Sequence, residues 1–277
     1  MTCEEWTLRG GGGLELFARS WLPPGTPRDV VVIAHGYGEH GGRYGNLVER
    51  LVPLGFAVHA VDHRGHGRSG GPRALVDRMA NVVDDLHRFV DRVRARHDGA
   101  KVKLIGHSMG GSVAFGYALK HQGDLSGLIL SGPAVGATVL GSQTFVLRLL
   151  SAVAPRLGLV TLPAEGVSRD PDVVRAYVDD PLVHHGKVPA RTAAELTFSA
   201  QSYLADAPRI TVPVLIQHGT ADALVPAGGN AGVYAAIGAE DKTIRLYDGL
   251  AHEIYNEPEK AEVIDDLAAW LEAHPPR

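Results

Sequence analysis

Short β-branched runs alternate along this chain with longer amphipathic stretches, the pattern of a mostly parallel sheet covered by helices. The spacing predicts an opening hairpin, residues 4–8 and 14–21, joined by the glycine run 10–13. Strand-like segments follow at 30–34, 56–61, 102–105 and 125–130. They read as apolar runs rather than strict alternations, as parallel strands buried on both faces do. Helical periodicity fills the gaps at 44–52, 77–96 and 109–121.

The rhythm breaks after Gly132-Pro133. From 134 to about 206 no segment reads as a buried strand, and helical stretches at 145–153 and 171–177 are set apart by Pro155, Pro163, Pro181 and Pro189. Strand and helix then resume at 212–217, 229–237, 243–247 and 258–273. Two closing strands have too little sheet of their own to stand as a domain. The expected architecture is therefore one α/β domain, residues 1–133 and 207–277, interrupted by an inserted helical cap at 134–206.

Composition narrows the function classes. At 277 residues, 45% hydrophobic and 21% charged, the chain can bury a large core and is not of disordered composition. A formal net charge of -4 supplies no basic field, so nucleic acid is not an expected partner. Cys3 is the single cysteine, which excludes an intramolecular disulfide and a cysteine-based zinc site. The first residues, Met1-Thr2-Cys3-Glu4-Glu5-Trp6, lack a basic start and an apolar stretch of signal-peptide length. No apolar run approaches a membrane span. The expectation is a soluble, cytoplasmic protein whose membrane contact is peripheral.

Gly106-His107-Ser108-Met109-Gly110 fits the G-x-S-x-G nucleophile elbow. A plain glycine-rich turn can share those letters, so the flanks decide. The strand-like 102–105 precedes it and the helical 109–121 follows, as an elbow requires. A serine hydroxyl is a poor nucleophile at neutral pH and needs a base. On a sheet of this kind the acid and then the histidine follow the serine in chain order. Asp222 closes the run His218-Gly219-Thr220-Ala221-Asp222 after one predicted strand, and His252 lies just beyond the next. Asp222 would orient the imidazole and His252 would carry the proton. A turn-capping role is the plainer alternative for Asp222, and Asp248 is its nearest rival. The oxyanion needs two backbone N–H donors. Met109 follows the nucleophile, and Tyr37 sits between glycines in His35-Gly36-Tyr37-Gly38-Glu39-His40.

Other matches fall away. Gly65-His66-Gly67-Arg68-Ser69-Gly70 has the letters of a dinucleotide loop but runs into Gly71-Pro72 and opens no helix. His35 and the Glu39-His40 pair are one residue too far apart for the inverted zinc motif. His184-His185 has no evident third ligand. No metal and no cofactor are expected.

These residues resemble the monoacylglycerol lipases and related lysophospholipase-like α/β hydrolases, and the chain looks like a bacterial member. The resemblance runs over nearly the whole chain. Its markers are 35–40 with Arg43-Tyr44, Asp62-His63-Arg64-Gly65-His66-Gly67-Arg68-Ser69, the elbow with Gly111, and 218–222. In the insertion, Ser168-Arg169-Asp170-Pro171 and Tyr177 before Asp179-Asp180-Pro181-Leu182 look like the cap of those lipases. The resemblance implies an α/β-hydrolase fold and cleavage of a monoacylglycerol to fatty acid and glycerol. It also implies Ser108, Asp222 and His252 as the triad and Tyr37 and Met109 as the oxyanion hole. Glu39, Arg43 and Tyr177 would arrange the polar end of the site. The chain departs from mammalian members at Tyr255, where a second histidine is expected. Tyr37 is bulkier than the usual residue, although an oxyanion role uses only its backbone.

The insertion supports a lipid ester independently. Val139-Leu140, Phe145-Val146-Leu147, Leu149-Leu150 and Leu157-Gly158-Leu159-Val160 carry more aliphatic surface than a small insertion easily buries. Ordinary packing of cap on core would claim some of it. The expected reaction runs through an acyl-enzyme. The alternatives are a lysophospholipase, a short-chain carboxylesterase, or a ligand receptor on a hydrolase scaffold.

Overall fold

The computed structural model describes residues 1–136 and 141–276, with side chains from 144 onward in the second stretch. The elements are β1 (Thr2–Arg9), β2 (Glu15–Leu22), β3 (Asp29–Ala34), α1 (Gly45–Leu51), β4 (Phe56–Val61) and α2 (Met79–Ala95). Next come β5 (Val102–His107), α3 (Met109–His121), β6 (Leu125–Ser131), α4 (Gly141–Val153), β7 (Gly158–Val160) and α5 (Pro171–Asp179). The chain ends with β8 (Val188–Pro189), α6 (Ala190–Asp206), β9 (Val214–Gly219), α7 (Asn230–Ala236), β10 (Lys242–Tyr247) and α8 (Lys260–Ala273).

Eight strands form one sheet in the order β1-β2-β4-β3-β5-β6-β9-β10. β1 and β2 pair antiparallel in register Leu8 to Leu16, and β2 joins β4 antiparallel. From β4 to β10 every pairing is parallel. The expected hairpin and mostly parallel sheet are therefore present. β3, β4 and β5 are buried at every position, and alternate residues feed two cores. Val30, Val32, Leu104 and Leu130 pack under α2 and α3, while Val31, Ile33, Ile105 and Ile129 face α1 and α8. Each such aliphatic side chain contributes about 1.5–3 kcal/mol of burial free energy.

The strands come from 2–131 and 214–247, and the span between them holds α4, α5, α6 and a two-stranded pair, β7 with β8. The 17-residue α6 was not among the expected helices. Ties that bind this segment to the sheet edge include Glu253 N–H to Val167 O (2.7 Å), His184 N–H to Gly38 O (2.7 Å), Ser168 Oγ to Glu257 (2.6 Å) and His40 Nε2 to Asp180 (2.9 Å). The aliphatic residues 145–150 and 157–160 are partly or wholly exposed. Val139-Leu140 lies outside the described residues.

Candidate active site

Loops that leave the carboxyl ends of the parallel strands meet at one edge of the sheet, where open α/β folds gather their chemistry. Ser108 follows β5 directly, with φ 53° and ψ -118°. That conformation costs a residue with a Cβ on the order of 1–3 kcal/mol and persists only when its surroundings hold it. Here its N–H bonds Ser131 O (2.9 Å), and its carbonyl accepts from Gly111 (2.9 Å) and Ala134 (3.0 Å). The flanking glycines are steric necessities. A Cβ on Gly106 would lie 2.4 Å from Gly110 O, and one on Gly110 would lie 2.0 Å from Ala34 O. The elbow therefore exists because α3 is drawn tight against the ends of β3 and β5.

Asp222 lies beyond β9, buried, with both carboxylate oxygens engaged. Oδ1 accepts from the backbone N–H groups of Leu224 (2.9 Å) and Val225 (2.8 Å), so it does cap its own turn. Oδ2 accepts from His252 Nδ1 (2.6 Å) and His218 Nε2 (2.9 Å). His218 Nε2 also reaches the Val225 carbonyl (2.8 Å), which can only accept, so that nitrogen carries the proton. Its Nδ1 receives the Asn230 amide. Burial opposes ionisation of Asp222, but hydrogen bonds from His218 and His252 outweigh it and hold the carboxyl well below the usual carboxylate range. With Nδ1–H given to a carboxylate, the Nε2 lone pair of His252 is left as the basic position. Asp248, the rival acid, is exposed and accepts from Thr220 Oγ1 (3.1 Å).

Ser108 and His252 line one cavity of about 530 Å³. Among the described residues no hydrogen bond joins the hydroxyl to the imidazole. Such bonds commonly tighten only when substrate is bound. Tyr37 and Met109 lie on the same wall. Among the described residues neither of their N–H groups has a backbone acceptor, Met109 because it opens α3. The Tyr37 loop is held from behind. His35 Nδ1 bonds Gly36 O (2.8 Å) and its Nε2 accepts from His63 N–H (2.8 Å). Asp62 accepts from Gly41 N–H (2.9 Å), Arg68 N–H (2.9 Å) and Arg19 (3.1 Å). The 62–69 segment is thus a bracket for the Tyr37 loop.

Glu39 reaches the cavity, while Arg43 sits behind the wall. Glu39 accepts from Gly36 N–H (2.6 Å), Tyr44 Oη (2.8 Å) and Arg43 (3.0 Å). Arg43 also grips Glu253 through two bonds, 2.5 and 2.8 Å, and lies over the Tyr177 ring at 4.7 Å. Burial raises Glu39 above its ordinary pKa despite Arg43, whereas Arg43 overcomes burial at Glu253 and lowers it. Tyr177 lines the cavity, and burial pushes its hydroxyl up to about 12. Tyr255 is turned into the core, its hydroxyl on Gln217 Oε1 (2.8 Å), away from the cavity wall. The rest of the lining is mostly aliphatic, including Val160, Leu162, Val188, Leu196, Leu224 and Val225.

Sequence reasoning missed His218 and Glu253. The signal for His218 was present, because residues at the start of the 218–222 run share one turn with Asp222. Glu253 had none, since its partner Arg43 is 210 positions away. One set of metal-ligand types, His87, His121 and Asp124, brings its atoms within 4.8 Å among the described residues. It sits at the far end of α3, and Asp124 is already held by Arg94 and Tyr117.

A family model described as serine aminopeptidase, S33, matches residues 25–259. A Mycolicibacterium smegmatis protein named monoacylglycerol lipase is 41% identical over 275 residues, 99% of this chain and 98% of that one. The Homo sapiens monoglyceride lipase is 33% identical over 95% of this chain and 89% of its own. The crystal structure of Paleococcus ferrophilus monoacylglycerol lipase superposes with a TM-score of 0.83 at 32% identity, covering 94% of this chain and 99% of that one. With that coverage, on an α/β-hydrolase fold carrying a serine elbow, the chain belongs to the serine aminopeptidase S33 family of hydrolases.

Proposed function

We propose that this protein is a monoacylglycerol lipase that works through an acyl-enzyme on Ser108. One observation carries the reading: a largely aliphatic cavity ends at Ser108 and His252 beside the polar group Glu39, Tyr177 and Glu253. An acyl chain gains about 0.8 kcal/mol per buried methylene there. The polar end suits a small hydroxylated leaving group, with Arg43 balancing charge behind it. The similarity to relatives named for monoacylglycerol cleavage supports the same substrate. A lysophospholipase or short-chain esterase would use the same machinery, and chain-length and headgroup preference separate them.

In this mechanism His252 Nε2 takes the Ser108 proton as Oγ attacks the ester carbonyl. The Tyr37 and Met109 N–H groups receive the oxyanion, each donor being worth about 10²–10³-fold in rate. The ester C–O bond breaks as His252 returns the proton to the glycerol oxygen. Water, deprotonated by the same nitrogen, then releases the fatty acid and restores Ser108. Asp222 keeps the Nδ1–H tautomer and stabilises the imidazolium throughout.

Residues 134–206 serve as the cap. Phe145, Leu149 and Val153, spaced by four on α4, are 71%, 56% and 76% exposed, a row of exposed apolar side chains. Such a row suits contact with a lipid surface. No helix among the described residues is long and apolar enough to cross a membrane. The decisive experiment is steady-state glycerol release from a long-chain monoacylglycerol. Turnover that vanishes in Ser108→Ala, with di- and triacylglycerols cleaved poorly, is expected. Activity surviving in Ser108→Ala would overturn the nucleophile, and cleavage of small esters alone would overturn the substrate.

A further inference from the structure

A second cavity of about 330 Å³ adjoins the first and shares Tyr37, Leu162, Pro163 and Tyr177 with it. Its remaining wall includes Glu165, His184 and His185. The Tyr37 ring stands edge-on between His66 (5.6 Å) and His184 (6.2 Å). Its hydroxyl is buried without a hydrogen-bond partner among the described residues, as are Nε2 of His66 and of His184. Packing rather than hydrogen bonding keeps the ring in place. The backbone of the same loop is fixed independently, by Glu39 on Gly36 N–H and by His184 N–H on Gly38 O.

We infer that the Tyr37 side chain is a partition that sets the upper size of the leaving alcohol, a task separate from that of its backbone N–H. The inference rests on the ester-hydrolase reading above. Removing the ring joins the two cavities at the end where Tyr177 meets the catalytic wall. The space gained offers a carboxylate and two imidazoles beside apolar Leu162, Pro163 and Val178, so it has partners for a polar headgroup. The main-chain clamps stay, so the oxyanion donor stays.

The test uses octanoate esters of three alcohols: methanol, glycerol and glycerophosphocholine. kcat/KM is measured for wild type, Tyr37→Ala and Tyr37→Phe, each per active site titrated with a fluorophosphonate. The glycerophosphocholine-to-methyl ratio is expected to rise at least about tenfold in Tyr37→Ala. In Tyr37→Phe, which keeps the ring, that ratio is expected to hold. Should Tyr37→Ala fail to titrate, Tyr37→Val is measured in the same way. An unmoved ratio, a gain that follows acyl length instead of alcohol size, or an equal gain in Tyr37→Phe would each overturn the partition. The wild-type glycerol-to-methyl ratio judges the monoacylglycerol reading separately: no preference for the glyceryl ester sinks that reading, while the alcohol-size ratio still decides the role of Tyr37.

Discussion

At the scale of single residues, Asp222 shows how little of a carboxylate is left to choice once both oxygens are committed. One oxygen ties down its own turn through two backbone donors, and the other holds His252 and His218. The turn-capping and imidazole-orienting readings of this aspartate are therefore compatible, because the two jobs use different atoms. Replacing Asp222 with Asn keeps the shape but offers an amide where His252 Nδ1–H needs an acceptor. The expected result is a fall in kcat of about 10⁴-fold with KM little changed, measured on a water-soluble ester. A loss below about tenfold would remove Asp222 from the proposed triad. Residue identity was the most legible layer. The elbow is local in the chain, and the aspartate and histidine stand just past predicted strands in the expected order, so the candidates could be named from it. Glu253 could not, because the charge that explains it arrives from Arg43 on a distant loop.

At the scale of elements, the tightest demand is the approach of α3 to β3 and β5. Gly110→Ala would drive a Cβ to within 2.0 Å of Ala34 O, which is backbone and cannot swing aside. Overpacking of this kind typically costs about 1–3 kcal/mol or more, so a lowered denaturant midpoint at unchanged m value is expected. The missed helix α6 has its own physical reason. It packs against α2, α3, α4 and α7, and its fully buried positions, Ala190, Thr192, Ala194 and Ala200, are too small to give a strong apolar signal. Tyr203 lies so close to Gly116 of α3 that a Cβ there would meet its hydroxyl at 2.4 Å. Pro189, which reads in sequence as a separator, is the residue from which α6 starts. On α4, by contrast, Phe145, Leu149 and Val153 stand exposed in a row. Leu149→Glu is expected to lower the fraction bound to sedimented anionic vesicles several-fold and to leave hydrolysis of a soluble ester unchanged. Equal vesicle binding by both proteins would exclude α4 as the lipid-facing element.

At the scale of the whole molecule, stability is tied to histidines that folding keeps neutral. Burial lowers His63 and His107 to about 3 and His66 to about 4. Their unfolded value is about 6.5. Below that pH the unfolded chain binds protons that the folded chain refuses, so unfolding free energy rises with pH across the window. Their contribution is complete above about 6.5 and is lost as pH falls toward the folded values. Asp222, also depressed, acts with the same sign at lower pH, its contribution present above about 3.9 and lost below it. The expected outcome is a Tm that drops steadily from pH 7 to pH 4 in scanning calorimetry. A flat Tm over that range would contradict burial of neutral imidazoles beneath the Tyr37 loop.

The sequence by itself determined what depends on neighbours along the chain: the strand and helix rhythm, the elbow with its glycines, the break at Gly132-Pro133, and the candidate triad. These follow from side-chain period and turn chemistry, which a few consecutive residues carry. The tertiary structure alone decided which charges meet, where the cap touches the core, and what each loop leaves open. Arg43 on Glu253, Arg19 on Asp62, the turn of Tyr255 into the core and Tyr37 against His184 join residues far apart in the chain. Such contacts exist only once the sheet has brought its strand ends together, so no local pattern encodes them.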